Sequence, residues 1–286
     1  MKQIVVISGK GGTGKTTLVA SFTVLSQDLV VADCDVDASN LHLLLKPNIK
    51  EKHEFMGSKV AVIDAEKCVR CQTCKEACRF NAIKNYQVDP LLCEGCGVCV
   101  YVCPANAVSL KEKISGYLFI SETKYGPMVH AKLNIAESNS GKLVSLVRDH
   151  AKKIAEEENK KFVLIDGPPG IGCPVIASLG NVDLALVVTE PTMSGLHDLQ
   201  RILSLTQHFG LKTLTLINMY DLNLENTKKI REFCSTVDVE FVGEIPFDPV
   251  VVEALTLGKP VVEYSSESKA SKKIKDIWEK ILSSLS

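Results

Sequence analysis

Gly9-Lys10-Gly11-Gly12-Thr13-Gly14-Lys15-Thr16 follows directly on the apolar run Ile4-Val5-Val6-Ile7 and leads into Leu18, Val19, Phe22 and Leu25 at helical spacing. The octet fits GxxxxGK[ST], with an additional lysine at its second position. Between a strand and a helix, such glycines let backbone N–H groups curl round the α/β phosphates of a nucleotide at the N-terminus of the helix. Lys15 then reaches the β/γ oxygens, and the Thr16 hydroxyl is offered to Mg²⁺. A glycine-rich turn without nucleotide is the bland alternative, and the strand–loop–helix context speaks against it.

The 286 residues suffice for one large domain and a small one. A formal net charge of -1 gives no electrostatic reason to expect a nucleic acid partner. The chain enters a strand at once, without a charged and then apolar leader, so a cytoplasmic setting is expected. No apolar run approaches the roughly 18 residues that span a bilayer. In the cytoplasm, the 11 cysteines read as ligands or free thiols rather than disulfides.

After the first helix, Leu29 to Ala32 reads as a buried parallel strand ending in Asp33-Cys34-Asp35-Val36-Asp37. Carboxylates at that end of a strand lie where open α/β sheets bind ligands. Alternatively, these aspartates cap the helix carrying Leu41 and Leu43 to Leu45, a part that Asp37 and Ser39 suit best.

The composition then changes, and an internal repeat appears. Cys68, Cys71, Cys74 and Cys78 recur as Cys93, Cys96, Cys99 and Cys103, with Asn81-Ala82 recurring as Asn106-Ala107, at a constant offset of 25 residues. In CxxCxxCxxxC, three close thiolates clasp one cubane cluster and the fourth belongs to the other. On that rule Cys68, Cys71, Cys74 and Cys103 hold one 4Fe-4S cluster, and Cys78, Cys93, Cys96 and Cys99 the second. Zinc needs only paired CxxC or Cys/His sets and accounts poorly for the doubled spacing. The repeat resembles bacterial two-cluster ferredoxins, except that Arg79 stands where their pattern has proline, which places a cation beside a cluster.

Beyond it, Gly116 to Ser121 and Met128 to Leu133 suggest a strand pair around Tyr125-Gly126-Pro127. A helix is predicted from Gly141 to Glu158, with Leu143, Leu146, Val147, His150 and Ile154 on its packed face. Phe162 to Ile165 delivers Asp166 to the end of an apolar strand, where a carboxylate can hold Mg²⁺ directly or through water. Gly167-Pro168-Pro169-Gly170 suits a mobile loop that senses the γ-phosphate. Strands follow at Asp183 to Val188, Leu214 to Ile217 and Val239 to Ile245, with helices between them. The predicted fold is therefore α/β, a doubly wound, mostly parallel sheet of the P-loop NTPase kind with an inserted small ferredoxin-like α+β domain. Its expected boundaries are 1–55 and 114–286 for the ATPase domain and 56–113 for the insertion.

KGGTGKTT resembles the deviant P-loop of the MinD/ParA/Mrp group, which includes the nitrogenase iron protein, and with the later motifs the resemblance covers the whole chain. It implies ATP hydrolysis by a two-subunit sandwich, as a homodimer or with a paralogue, in which Lys10 reaches the partner's nucleotide. The nucleotide would be held by Gly9, Lys10, Gly11, Gly12, Thr13, Gly14, Lys15, Thr16 and Thr17, and Mg²⁺ by Thr16, Asp35 and Asp166. Asp35 would position the attacking water, leaving Lys10, Lys15, Asp35 and Asp166 as the catalytic set. Asp166 to Gly170 is similar to switch II of the Mrp branch, and Asn218, Pro246 and Asp248 would contact the adenine, ordinary turn chemistry being the alternative for each. Cys173 has the spacing after Asp166 of a cluster ligand in the nitrogenase iron protein, but no second cysteine lies between Gly126 and Lys142, so a buried or idle thiol is the plainer reading; Cys34 and Cys234 read as core. MinD uses a terminal amphipathic helix at membranes. The last helix here, Lys269 to Leu285, reads instead as docked on the sheet, and no membrane partner is expected. Three functions fit: an ATP-dependent carrier or scaffold in metallocluster assembly, an ATP-gated electron donor to a redox partner, and a positioning or regulatory ATPase with structural or sensing clusters.

Overall fold

Ile4, Val5, Val6 and Ile7 are all fully buried, so the run has no solvent face, as a parallel strand covered on both sides requires. In the computed structural model, which describes every residue except Gln27, Ala136, Ser138, Asn139 and Ser286, they form the middle of β1 (Lys2–Ser8). The chain continues through α1 (Lys15–Leu25), β2 (Leu29–Asp33), α2 (Leu41–Leu45) and β3 (Asn48–Ile63). Next come α3 (Thr73–Glu76), β4 (Ile83–Lys84), β5 (Gln87–Val88), α4 (Val98–Tyr101), β6 (Val108–Thr123) and β7 (Gly126–Leu133). The remainder alternates: α5 (Ser140–Glu157), β8 (Phe162–Pro169), α6 (Cys173–Leu179), β9 (Leu184–Thr189), α7 (Met193–His208), β10 (Thr213–Asn218), α8 (Leu224–Thr236) and β11 (Glu240–Ile245). Three helices close it: α9 (Pro249–Thr256), α10 (Val261–Tyr264) and α11 (Lys269–Ser284).

Among the described residues, nine strands form one sheet in the order β11-β10-β9-β1-β8-β2-β7-β6-β3. β1 pairs in parallel with β8 and β9, β2 with β8 and β7, and β10 with β9 and β11. This is the doubly wound, mostly parallel sheet that the alternation predicts. Its register places Val6, Asp33 and Asp166 side by side at the carboxyl ends of three adjacent strands. The largest fully buried side chains include Phe22, Ile4, Ile7, Leu18 and Leu29, each worth about 1.5–3 kcal/mol of transfer free energy. α11 lays Ile274, Ile277, Trp278 and Ile281 into the same core, with the Trp278 ring stacked 4.9 Å from Phe22.

Several expectations are corrected. Leu146 is exposed; the buried stripe of α5 is Leu143, Val144, Val147, Ala151 and Ala155, rotated by about one position from the face predicted. Asp37 and Ser39 do not cap α2: its N-cap is Asn40 without a side-chain bond, and the Ser39 hydroxyl instead donates to Asp33 Oδ2 at 2.6 Å. β8 runs on through Gly167 and Pro168 to Pro169, because Gly170 N–H donates to Ser8 O at 2.9 Å, so the loop begins at Gly170 rather than Gly167. The hairpin between β6 and β7 turns at Lys124-Tyr125, one residue earlier than predicted.

The chain divides into two compact units: Met1–Lys52, Leu118–Lys132 and Ser140–Ser286 in the first, His53–Tyr117 and Leu133–Asn139 in the second. The second unit carries the repeat, and its backbone repeats too. Arg70 and Gly95, Gln72 and Gly97, and Asn81 and Asn106 are all left-handed, each pair at the offset of 25 residues, and α3 matches α4. Its small core of Ala61, Cys74, Ile83, Cys99 and Val108 is shared by both copies.

Candidate functional site

Gly14 ends the glycine loop at φ 88, a left-handed conformation that disfavours other residues, and an added Cβ would come within 2.3 Å of Asn218 Nδ2. α1 starts immediately after it with no side-chain cap, so its first N–H groups and the positive end of its dipole face the loop. Lys15 is 6% exposed, and its ammonium donates to Asp166 Oδ1 at 2.6 Å, with Asp35 Oδ2 at 3.9 Å. Burial pulls the Lys15 pKa down, but the charge and hydrogen bond of Asp166 outweigh it and the net shift is upward. The other Asp166 oxygen, Oδ2, is buried without a hydrogen-bond partner. Such an orphan acceptor, on a carboxylate that shares the Lys15 ammonium with Asp35, fits a bound cation.

Asp33 joins this group as a third carboxylate, one the sequence reading quoted without a role. It is fully buried, accepts from Asp35 N–H at 3.1 Å and from Ser39, and is pushed up to about 7 by burial and then by the charge of Asp166. Asp35 is raised as well, chiefly by burial. The cluster is therefore three carboxylates round one buried ammonium, acid-rich until a cation or proton joins it.

Lys10, by contrast, is committed within its own chain: its ammonium meets Glu190 Oε1 at 2.7 Å and Ser194 Oγ at 2.9 Å. Glu190 and Ser194 were not singled out from the sequence, although Glu190 directly follows the β9 strand end, where ligand-facing residues collect. The expected base contacts also converge. Asn218 donates to Thr13 O at 2.9 Å, and Asn218, Pro246 and Asp248 line, with Gly12, Gly14 and Thr17, an apolar cavity of about 170 Å³. Asp248 has structural duties there: its two carboxylate oxygens accept from Val250 N–H and Ala270 N–H, each at 3.1 Å, capping α9 and tying down the start of α11.

The repeat cysteines gather in two small cavities of the second unit. Cys68, Cys71, Cys74 and Cys103 line one, together with Ile63, Tyr86 and Val108. Cys78, Cys93, Cys96 and Cys99 line the other, together with Phe80, Glu94 and Leu110. Each cavity thus takes three thiols from one copy of the repeat and one from the other. Backbone N–H groups already point at sulfur: Ala107 at Cys103 Sγ (3.3 Å) and Ala61 at Cys93 Sγ (3.4 Å). All the cysteines are free, and among the described residues no three His, Cys, Asp or Glu side chains converge tightly enough for a single metal ion. Cys34 and Cys234 are buried thiols raised by burial, while Cys173 is exposed at the start of α6. No described helix is long and apolar enough to cross a membrane.

A glycine loop at an uncapped helix start, facing carboxylates at the carboxyl ends of central strands in a doubly wound sheet, defines a P-loop nucleotide-binding domain. Residues 4–261 match the CobQ/CobB/MinD/ParA nucleotide-binding domain model, and the chain belongs to that family as a MinD/ParA-type P-loop ATPase. It is 34% identical over 282 residues to an uncharacterized protein of Methanocaldococcus jannaschii, covering 98% of this chain and 96% of that one. It is 24% identical to an iron-sulfur cluster carrier protein of Aquifex aeolicus, over 95% of this chain and 65% of that protein. The septum site-determining protein MinD of Pyrococcus horikoshii, solved with Mg-ADP, shares the fold with a TM-score of 0.60 and 21% identity, over 98% of this chain and 95% of the other.

Proposed function

We propose that this ATPase is a two-cluster iron-sulfur protein serving metallocluster assembly as an ATP-dependent carrier or scaffold. The observation that carries the reading is the pair of four-cysteine cavities, each completed by one thiol from the opposite copy of the repeat, in the same chain as a P-loop. The similarity to an iron-sulfur cluster carrier protein supports it. Cys68, Cys71, Cys74 and Cys103 would hold one 4Fe-4S cluster and Cys78, Cys93, Cys96 and Cys99 the other; when bound, the clusters supply one-electron chemistry. Four thiols for each cluster, with only Cys71 and Cys96 exposed among the eight, favour clusters that stay in place, and on this ground an ATP-gated electron donor is the second reading.

At the nucleotide site, the backbone from Gly9 to Thr17 and the start of α1 take the phosphates. Lys15 leaves Asp166 for the β/γ oxygens, and Asp35 orients the attacking water. Thr16, Asp35 and Asp166 would hold Mg²⁺, which neutralises phosphate charge when bound. Lys10 leaves Glu190 and Ser194 to reach the nucleotide of a second subunit, either an identical chain or a paralogue. Asn218 and Pro246 frame the base, and Asp248 holds the wall that Pro246 belongs to.

The test is anaerobic: reconstitute the chain, count iron, then follow ATP hydrolysis with the clusters oxidised and reduced while assaying iron transfer to an apo acceptor. ATP-stimulated transfer at unchanged redox state is expected. Hydrolysis that responds to cluster reduction, with all iron retained, would replace the carrier by the electron donor.

A further inference from the structure

The two cysteine cavities share a backbone plan but differ in what surrounds the sulfurs. In the first, the Thr73 hydroxyl donates to Cys71 Sγ at 3.4 Å. The matching residue in the second copy is Val98, which lines its cavity with no hydroxyl. Arg70 precedes Cys71 where Gly95 precedes Cys96, and its guanidinium lies 5.8 Å over the ring of Tyr86, a residue lining the first cavity. The acid is on the other side: Glu94 lines the second cavity at the position that Val69 fills in the first.

All three differences act in one direction. Reducing a cluster adds a negative charge, so a hydrogen bond to sulfur and a nearby cation favour the reduced state and a nearby carboxylate disfavours it. The remaining influences are even or weak. Backbone N–H groups reach sulfur in both cavities, those of Ala107, Thr73 and Lys75 in the first and those of Ala61 and Val100 in the second. Cys74 and Cys99 are both 8% exposed, and Cys71 and Cys96 are both exposed, so solvent access does not separate the sites. Lys67 beside Cys68 is tied to Asp64 at 3.4 Å, and the charge of the exposed Glu76, which is felt at Cys71, opposes the trend. Arg79 beside Cys78 opposes the trend; like Arg70 and Glu94 it is exposed, so solvent and salt screen all three charges and the Thr73 hydroxyl bond to Cys71 Sγ, which has no counterpart in the second cavity, decides the order.

We propose that the cluster held by Cys68, Cys71, Cys74 and Cys103 has the higher reduction potential of the two, so that one electron from a low-potential one-electron donor comes to rest there. The step adds one electron to one cluster, with no bond made or broken and no proton required. This rests on the two-cluster reading above and goes beyond it by ranking the sites.

The full-length protein is reconstituted anaerobically, its iron counted, and its reduction by dithionite followed by electron paramagnetic resonance at controlled potentials. Two separate one-electron waves are expected. Thr73→Val combined with Arg70→Gln lowers the upper wave and leaves the lower one in place; Glu94→Gln, at an exposed residue, raises the lower wave alone. A single merged wave in the unaltered chain, or the Thr73→Val and Arg70→Gln pair moving the lower wave, overturns the ranking. Should that double variant fail to load, the Glu94→Gln shift decides by itself: movement of the upper wave refutes the proposal. Failure of the unaltered chain to bind iron is seen before any potential is measured, and refutes the two-cluster reading and the ranking together.

Discussion

Lys15 is held by Asp166 in this structure and is needed by phosphate in the proposed reaction, so its replacement has two separable effects. Lys15→Ala is expected to lower the ATP hydrolysis rate by about 10²–10³-fold, the usual cost of removing one charge-stabilising group, as measured by phosphate release. It also leaves three buried or half-buried carboxylates without their ammonium, so the variant is expected to gain more thermal stability than the parent from added Mg²⁺. Asp33 supplies a pH signature. Raised from 3.8 to about 7, it carries a proton in the folded chain that the unfolded chain has released. Its contribution to stability is fully present below pH 4 and is lost as the pH rises through 7. His130 slopes the other way in part of that window, because burial lowers it from 6.5 to about 4. The difference between parent and variant isolates Asp33: Asp33→Asn should gain in relative stability between pH 5 and pH 8, read from denaturant midpoints. A relative stability that stays flat or falls would contradict the assignment.

At the scale of elements, packing decides what composition leaves open. α5 shows this directly. Leu143→Ala should cost about 2–5 kcal/mol, as for other fully buried leucines, while Leu146→Ala, at an exposed position, should stay within about 0.5 kcal/mol; chemical denaturation distinguishes the two. Periodicity offered both leucines because either choice makes a continuous apolar stripe, and only contact with β2 and α6 fixes the rotation of the helix. α11 gives the complementary case. Its lysines invited comparison with a membrane-surface helix, but Trp278 is 3% exposed and stacked on Phe22. Trp278→Ala should therefore destabilise the fold by about 3–5 kcal/mol, and the intact chain should not sediment with anionic vesicles. β3 escaped the sequence reading altogether. Seven of its first eight residues are exposed, so neither an apolar run nor a clean alternation announces it. β1, β8 and β9, with no exposed positions among their inner residues, were legible because parallel strands covered on both faces must be apolar throughout.

For the whole molecule, the nucleotide loop and the cysteine repeat could be read from spacing, since both chemistries demand fixed residue types at fixed intervals. What could not be read are partners supplied by segments remote in sequence, such as Glu190 and Ser194 for Lys10 or Asp248 for the start of α11, because nothing local marks them. The crossed cysteine sets make a prediction at this scale. Cys103→Ser, although it lies in the second copy of the repeat, should perturb the cluster proposed for the first, whereas Cys78→Ser should perturb that proposed for the second. The wave each variant loses in a potential-controlled titration assigns it. The same crossing bears on ancestry. A peptide with one copy of the repeat brings three thiols to its own cavity and directs the fourth elsewhere, so by itself it would leave a cavity one thiol short. Two such peptides could satisfy each other only by reciprocal exchange. Joined in tandem, they become a pair that cannot dissociate, and neither half can be deleted without leaving the other incomplete.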